Sequence, residues 1–222
     1  MKINRYLDHS VLIPSMTKQM ARDAIQLGIE YEVKSVCVRP CDIALAIDMC
    51  AGTQTMVCCV LDFPHGTGGA AAKESLAAHY VGQGVREIDM VMDYSAALSD
   101  EWDVVEDGIK RVVQIARPKG VGVKVIFETC ELSMEQIQKA TAISIAAGAD
   151  YIKTSTGFAR GVTVEAVRCM LDAAQGKIQV KVSGGVLDLE TAMKYIDMGA
   201  TRLGVKYSIT PILLDAPNQS IK

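Results

Sequence analysis

The stretch AGADYIKTSTGF, residues 147–158, contains a predicted helix end, a predicted strand and the turn that follows it. AGAD at 147–150 has the small, glycine-containing composition of a helix end that leads into a strand. YIKTST at 151–156 reads as a short strand, and the glycine after it marks a turn. Lys153 lies in the middle of that strand, where burial of an ammonium group is costly. A second predicted strand, IQVKVSGG at 178–185, has the same order of lysine, serine and glycine.

This alternation of strand and helix extends over the whole chain, with roughly 30 residues in each unit, as in a βα unit. The predicted strands are at 4–9, 35–39, 55–63, 86–93, 121–128, 151–156, 178–183 and 201–206. The predicted helices are at 17–33, 41–51, 70–84, 101–117, 133–148, 163–175 and 188–199. Thr17, Ser133 and Thr163 are predicted to cap three of these helices at their N-termini.

Strict alternation leaves two α/β architectures, a doubly wound sheet or a closed (β/α)8 barrel. The number of strands, the chain length and the even spacing favour the TIM barrel. No G-x-G-x-x-G follows an early strand, which disfavours a dinucleotide-binding fold. We therefore predict one barrel domain over residues 1–222, with 207–222 as a short C-terminal tail.

Composition limits the classes of partner and the cellular compartment. The chain has 222 residues, half of them apolar, and a net charge of −3, so it lacks the basic excess typical of nucleic-acid binders. Seven cysteines, an odd number, favour reduced thiols over a disulfide framework. No signal peptide, membrane span or metal-ligand cluster is evident. We expect a cytoplasmic protein that uses no cofactor or metal and acts on a small molecule. The sequence identifies no interface, which leaves a homo-oligomer open.

Strand parity predicts a polar barrel interior. Successive side chains of a strand point to opposite faces, and in four predicted strands the apolar residues occupy one parity. The opposite parity carries Asp89, Lys124, Glu128, Lys153 and Lys181. Such a group could be a structural salt-bridge core. However, Lys153 and Lys181 lie near the C-terminal ends of their strands, where active sites of this fold are found, and this favours a catalytic interpretation.

Two neighbouring lysines suit carbonyl chemistry. A lysine attacks a carbonyl only as the neutral amine, and burial together with a nearby cation favours that form. The resulting Schiff base acts as an electron sink when a carbon–carbon bond breaks or forms. A carboxylate such as Asp89 can carry protons through a water molecule.

The chain resembles the deoxyribose-phosphate aldolases along almost its whole length. The motifs that carry the resemblance are LDHSVLIP (7–14), SVCVRP (35–40), DFPHG (62–66), EIDMVMD (87–93), KVIFET (124–129), AGADYIKTSTGF (147–158), VKVSGG (180–185) and GATRLG (199–204). The family consists of class I aldolases with the (β/α)8 fold. The resemblance implies that Lys153 forms the Schiff base, that Lys181 perturbs it and that Asp89 completes a proton relay.

The resemblance also implies a reaction, the reversible cleavage of 2-deoxy-D-ribose 5-phosphate to acetaldehyde and D-glyceraldehyde 3-phosphate. Residues at the positions that line the family's substrate pocket are Asp8, Cys37, Lys124 and Thr156. The phosphate would bind to Gly157, Gly184, Gly185 and Gly204, with Arg160, Lys206 and Ser208 as further candidates.

The chain departs from the family pattern where the phosphate should bind. After Gly204 the family has a small residue and two serines, whereas this chain has Val205, Lys206 and Tyr207. Two interpretations remain open. Either Lys206 or Arg160 supplies charged donors, or the aldolase accepts a different or unphosphorylated aldehyde. A non-catalytic barrel that binds a metabolite is a third hypothesis, which the two lysines and Asp89 disfavour.

Overall fold

The computed structural model describes residues 2–215 and contains the predicted closed barrel. Eight parallel strands pair in chain order, and the last pairs with the first. The strands are β1 Leu7–Val11, β2 Ser35–Val38, β3 Met56–Leu61, β4 Glu87–Val91, β5 Gly122–Ile126, β6 Tyr151–Lys153, β7 Gln179–Ser183 and β8 Arg202–Lys206. The TIM-barrel prediction is therefore confirmed.

Helices surround the barrel and follow the strands as predicted. They are α1 Lys18–Glu30, α2 Ile43–Cys50, α3 Ala70–Gly82, α4 Tyr94–Leu98, α5 Trp102–Ala116, α6 Met134–Ala147, α7 Val164–Ala174, α8 Leu189–Met198 and α9 Thr210–Leu214. Among residues 2–215, no helix combines the length and the apolar character needed to cross a membrane.

Side-chain caps confirm three predicted helix starts. The hydroxyl groups of Thr17 and Thr163 each accept a hydrogen bond from a backbone amide in the first turn of α1 and α7. Ser133 and Gln136 form a reciprocal capping box at the start of α6. These bonds satisfy amide groups that would otherwise lack a partner at the helix end.

Two of the differences from the predicted elements concern the first strand and the helix α4. The first strand is β1 rather than 4–9, because Ile3–Tyr6 forms a 3-10 turn before it. The short helix α4 was not predicted, since its sequence YSAAL is too short to show a helical period.

The first part of the predicted C-terminal tail, residues 207–215, has regular secondary structure. Residues Tyr207–Ile209 form a 3-10 turn that leads into α9, where Leu213 and Leu214 are buried. The rest of the predicted tail, residues 216–222, lies outside the described residues.

The strands place apolar side chains outward, and several of them place charged side chains inward. On β4, Ile88 and Met90 belong to the apolar core between barrel and helices. Glu87 and Asp89 take the other parity and are buried inside the barrel. The apolar layer thus encloses a charged interior, which is the site described below.

His9 joins the C-terminal helix to the barrel from the outward face of β1. Its Nδ1 lies 2.8 Å from the Thr210 hydroxyl, and its Nε2 lies 2.8 Å from the Ala24 carbonyl oxygen. A neutral ring satisfies both contacts by donating from Nε2 and accepting at Nδ1. Burial lowers the pKa of His9 from 6.5 to about 4, against a smaller opposing effect of the Ala24 carbonyl.

This pKa makes His9 a source of acid sensitivity. The unfolded chain binds a proton at His9 more readily than the folded chain. The contribution of neutral His9 to the free energy of unfolding is therefore complete above pH 6.5 and declines as the pH falls to about 4. We expect the free-energy advantage of the native protein over His9→Gln to fall by up to about 3 kcal/mol across this range. Urea unfolding of both proteins at several pH values measures it, and a pH-independent difference would refute the prediction.

Candidate active site

The barrel interior is a network of buried charged side chains. Within residues 2–215, three carboxylates and four basic groups meet there, each no more than 6% exposed. They are Asp8 on β1, Glu87 and Asp89 on β4, Lys124 on β5, Lys153 on β6, Lys181 on β7 and Arg202 on β8. Their positions follow from the alternation of side chains along each strand.

Asp89 is the carboxylate that joins the three lysines. Its Oδ2 accepts hydrogen bonds from Lys153 Nζ at 2.8 Å and from Lys181 Nζ at 2.6 Å. Its Oδ1 accepts one from Lys124 Nζ at 3.0 Å. The pairing of Lys153 with Lys181 in the strand register brings the two amines to the same height. The predicted grouping of these four residues is confirmed.

Asp8 and Glu87 complete the network of carboxylates around the basic groups. Asp8 Oδ2 lies 2.5 Å from Lys181 Nζ, and Asp8 Oδ1 lies 2.6 Å from Arg202 Nη1. Glu87 lies 2.6 Å from Lys124 Nζ and 3.0 Å from Arg202. Each buried charge therefore has an opposite charge beside it, which offsets the desolvation cost.

These contacts fix the charge states at neutral pH. Burial alone would raise the pKa of Asp89, but Lys124, Lys153 and Lys181 together hold it well below 3.8. Burial alone would lower the pKa of Lys181, but Asp8 and Asp89 raise it. Asp89 is accordingly a carboxylate and Lys181 an ammonium ion. Lys181 can thus act as a cation next to Lys153.

A cavity of about 500 Å³ opens above this network at the C-terminal end of the barrel. Lys153, Lys181, Asp8 and Cys37 contribute to its lining, whereas Asp89 does not. Lys124 is fully buried and is also outside this lining, so its predicted role as a substrate contact is not supported. Its ammonium group instead contacts carboxylates of the network.

Most of the predicted phosphate-binding residues lie around the same cavity. Those that line it are Gly157, Gly184, Gly185, Gly204, Lys206 and Ser208. Arg160 does not: its side chain is 77% exposed and lies 3.5 Å from Glu131. Tyr207 is also outside the lining and packs toward His9, with 6.4 Å between the ring centroids. The departure of Tyr207 from the family pattern therefore does not block the cavity.

Position 204 requires glycine because the side chains of Lys181 and Ser183 lie directly against its backbone. A Cβ atom at this position would lie 2.8 Å from Ser183 Cβ and 3.2 Å from Lys181 Cε. Gly184 has φ +91°, in the region that favours glycine, and a Cβ there would lie 3.0 Å from Ser155 Oγ. Both glycines thus keep the backbone close to the lysine strands.

Glu128 does not join the lysine cluster, contrary to the parity prediction. The strand β5 ends at Ile126, and Glu128 has φ 55°, so alternation no longer sets its direction. Its carboxylate instead accepts hydrogen bonds from the Thr156 hydroxyl and from the Thr156 backbone amide at 3.3 Å. Thr156 lines the cavity, and Glu128 holds it in position from below the surface.

One group in the interior has the composition of a metal site. Ligand atoms of Cys37, Cys58 and Asp89 lie within 4.8 Å of one another. Lys124 Nζ, however, lies 3.4 Å from Cys58 Sγ and 3.0 Å from Asp89 Oδ1. An ammonium group thus occupies the position beside these ligands, and burial raises the pKa of the Cys58 thiol well above 9.0. These residues do not suit a divalent cation.

Sequence reasoning missed Arg202 and left Glu87 out of the cluster. The parity rule gives both: Glu87 shares its face of β4 with Asp89, and Arg202 shares its face of β8 with Gly204. The alternation in TRLGVK is hard to recognise because Gly204, the inward-facing residue that follows Arg202 on this face, has no polar side chain.

The contacts between Glu128 and Thr156 predict an energetic coupling. Thr156→Val removes a hydroxyl donor and leaves a buried carboxylate oxygen without it, and Glu128→Gln removes the charge. We expect a double-mutant cycle to give a coupling free energy of about 2 kcal/mol, measured by chemical denaturation. Pairing Glu128→Gln with Thr67→Val, at an exposed position, is the control and should give none. Additive effects of the Glu128 and Thr156 changes would contradict the assignment.

Comparison with known proteins agrees with this geometry. A model of the DeoC/LacD family aldolases matches residues 3–206. Deoxyribose-phosphate aldolase 1 of Staphylococcus aureus strain MSSA476 is 40% identical over 210 residues, which are 94% of each chain. Among solved structures, the aldolase QR15 has a TM-score of 0.88 at 38% identity, covering 94% of this chain and 93% of its own.

A third relative is the deoxyribose phosphate aldolase of Aeropyrum pernix, whose structure is described as a unique tetramer. It has a TM-score of 0.87 at 25% identity and covers 96% of this chain and 89% of its own. The match covers the strands that carry all seven charged groups of the interior. The chain belongs to the DeoC/LacD family of aldolases.

Proposed function

We propose that the protein is a class I aldolase that reversibly cleaves 2-deoxy-D-ribose 5-phosphate to acetaldehyde and D-glyceraldehyde 3-phosphate. The observation that carries the proposal is the position of Lys153. Its amine reaches the cavity and shares one oxygen of Asp89 with the ammonium group of Lys181. The names of the relatives supply the substrate.

The covalent step uses Lys153 as the nucleophile. The amine adds to the aldehyde carbon of the open-chain sugar, and loss of water gives an iminium ion. The bond between C2 and C3 then breaks, its electron pair moves into the iminium, and the C3 hydroxyl loses its proton as D-glyceraldehyde 3-phosphate leaves. The remaining enamine takes up a proton at C2, and water releases acetaldehyde and restores the amine.

Asp89 and Lys181 are proposed to move the protons that these steps need. A single oxygen, Asp89 Oδ2, contacts both amines, which gives a short hydrogen-bonded path between them. Lys181 also places a positive charge beside Lys153, and that charge opposes protonation of the reacting amine. Asp8 holds Lys181 from the other side.

The proposal predicts a strong and unequal dependence on the two lysines. Lys153→Met should reduce cleavage of 2-deoxy-D-ribose 5-phosphate to the uncatalysed background, because a methionine side chain cannot form the Schiff base. Lys181→Leu should lower kcat by about 10²- to 10⁴-fold, the usual contribution of a positioned proton-transfer group. Enzyme-coupled assays that detect both aldehyde products measure the cleavage rate of each variant. Thermal unfolding checks that each variant remains folded.

Retained cleavage by Lys153→Met would exclude the Schiff-base mechanism at this residue. If the native protein cleaves neither deoxyribose 5-phosphate nor any related sugar but is stabilised by one of them, the non-catalytic binding alternative holds instead. A panel that varies both the donor aldehyde and the phosphate separates the remaining aldolase alternatives.

Lys206 is proposed to bind the substrate phosphate together with the amide groups of Gly184 and Gly185. It lines the cavity, and among the described residues it makes no ion pair of 4.0 Å or less. The two glycines line the cavity and have φ values of +91° and +99°, a left-handed backbone of the kind from which anion-binding amide concavities are built. An ammonium ion in this position replaces a hydroxyl donor with a charged one.

We expect Lys206→Gln to raise KM for the phosphorylated sugar about tenfold, equivalent to one charge-assisted hydrogen bond, with a small effect on kcat. KM for unphosphorylated 2-deoxyribose should not change. Arg160→Gln is the matched control, since Arg160 does not line the cavity, and it should leave both values unchanged. An equal effect of Lys206→Gln on both sugars would contradict phosphate binding by this residue.

An unphosphorylated, more apolar acceptor aldehyde is the second candidate. Phe158 and Leu187 line the cavity mouth and are 51% and 60% exposed. Such side chains would contact an apolar substrate more favourably than a phosphate. A higher kcat/KM for apolar aldehydes than for D-glyceraldehyde 3-phosphate in the aldol direction would favour this candidate.

We further propose that the enzyme acts in the cytoplasm, where reduced cysteines persist, as do the free thiols of this chain. A homo-oligomer is proposed from the tetrameric relative of Aeropyrum pernix. Light scattering of the purified protein tests the oligomeric state.

A further inference from the structure

Charge balance in the barrel interior identifies a residue that the reaction scheme above does not use. Among the described residues, the network holds three carboxylates, Asp8, Glu87 and Asp89. Three basic groups besides Lys153 face them, namely Lys124, Lys181 and Arg202. These three already balance the three carboxylates in number, so a protonated Lys153 would give the network a net positive charge.

Arg202 supplies one of these balancing charges from outside the cavity lining. Its guanidinium group is 3% exposed and does not line the cavity. Nη1 contacts Asp8 at 2.6 Å, and the two terminal nitrogens contact the two oxygens of Glu87 at 3.0 Å each. Asp8 in turn contacts Lys181, and Glu87 contacts Lys124. One side chain thus binds both carboxylates that support the cations around Asp89.

We propose that Arg202 is a positioning residue that keeps Lys153 available as a neutral amine by compensating the charge of Asp8 and Glu87. The proposal rests on the Schiff-base function of Lys153. Without Arg202, three carboxylates would face only two other cations, and a proton on Lys153 would restore neutrality. Schiff-base formation would then require a higher pH.

Among residues 2–215, the other titratable groups near the interior form no ion pair with this network, and the buried carboxylate of Glu128 contacts Thr156 instead. The Tyr151 hydroxyl on β6 accepts a hydrogen bond from Arg202 at 3.1 Å. Burial raises the pKa of Cys58 well above 9.0, which keeps it a thiol. Lys206 at the end of β8 is exposed to solvent at the cavity rim, where its charge is screened.

The test is the pH dependence of reductive trapping. Acetaldehyde and cyanoborohydride add two carbons to Lys153, and peptide mass mapping gives the trapping rate at that residue. For Arg202→Met we expect the midpoint of the rate profile to move to higher pH by about one unit, the shift from one buried charge at moderate distance. Arg86→Met, at an exposed position next to Glu87, is the matched control and should show no shift.

A second charge-changing substitution distinguishes an electrostatic role of Arg202 from a purely structural one. Glu87→Gln removes a negative charge and should move the midpoint to lower pH. The double variant Arg202→Met with Glu87→Gln should return it close to the native value. Loss of packing alone predicts no such opposite shifts and no restoration.

Each outcome decides the matter. If Arg202→Met does not fold, the acid shift of Glu87→Gln and the native-like midpoint of the double variant still support the proposal. Unchanged midpoints in Glu87→Gln and in folded Arg202 variants would overturn it while leaving the aldolase mechanism intact. Absence of any adduct on Lys153 in the native protein would overturn the Schiff-base function, and the role of Arg202 with it.

Discussion

The interior of this barrel depends on the carboxylate of Asp89, which accepts hydrogen bonds from three lysine amines. An isolated ammonium or carboxylate group at this depth would cost several kcal/mol to desolvate. The contacts with Asp89 make burial of Lys124 and Lys181 tolerable, and they hold Lys153 at one height in the cavity. The same contacts join the Asp89 carboxylate by hydrogen bonds to the Lys181 ammonium group and to the Lys153 amine. The interactions that make burial of these charges possible are therefore also the ones proposed to move protons in the reaction.

The rest of the fold keeps the charged interior buried. Outward-facing apolar residues of every strand pack against the surrounding helices, and the closed barrel leaves no edge strand. Because all strands are parallel, their C-terminal ends open to one side, where the cavity lies above Lys153 and Lys181. His9 and Thr210 attach the last helix to the outside of the first strand, so the closure between β8 and β1 is reinforced from the helix layer.

Strand alternation predicted much of this arrangement from sequence, since a period of two assigns each side chain to a face once a strand is recognised. It placed Asp89, Lys124, Lys153 and Lys181 together, and it failed at Glu128, where the chain leaves the strand and takes a left-handed conformation. Arg202 could have been found by the same rule. The distances that matter, such as the common oxygen between Lys153 and Lys181, depend on barrel closure and strand register, which no local pattern contains. The position of Arg160 outside the cavity lining, near Glu131, likewise depends on the conformation of its loop.

The central claim is that Lys153 carries the substrate while Lys181 and Asp89 keep their contact beside it. A crystal structure of the protein after reduction in the presence of acetaldehyde tests this most directly. The account predicts a two-carbon extension on Lys153 Nζ directed into the cavity, with Lys181 Nζ still within hydrogen-bonding distance of Asp89 Oδ2. An extension on Lys181 instead, or a Lys153 side chain that remains unmodified, would contradict it.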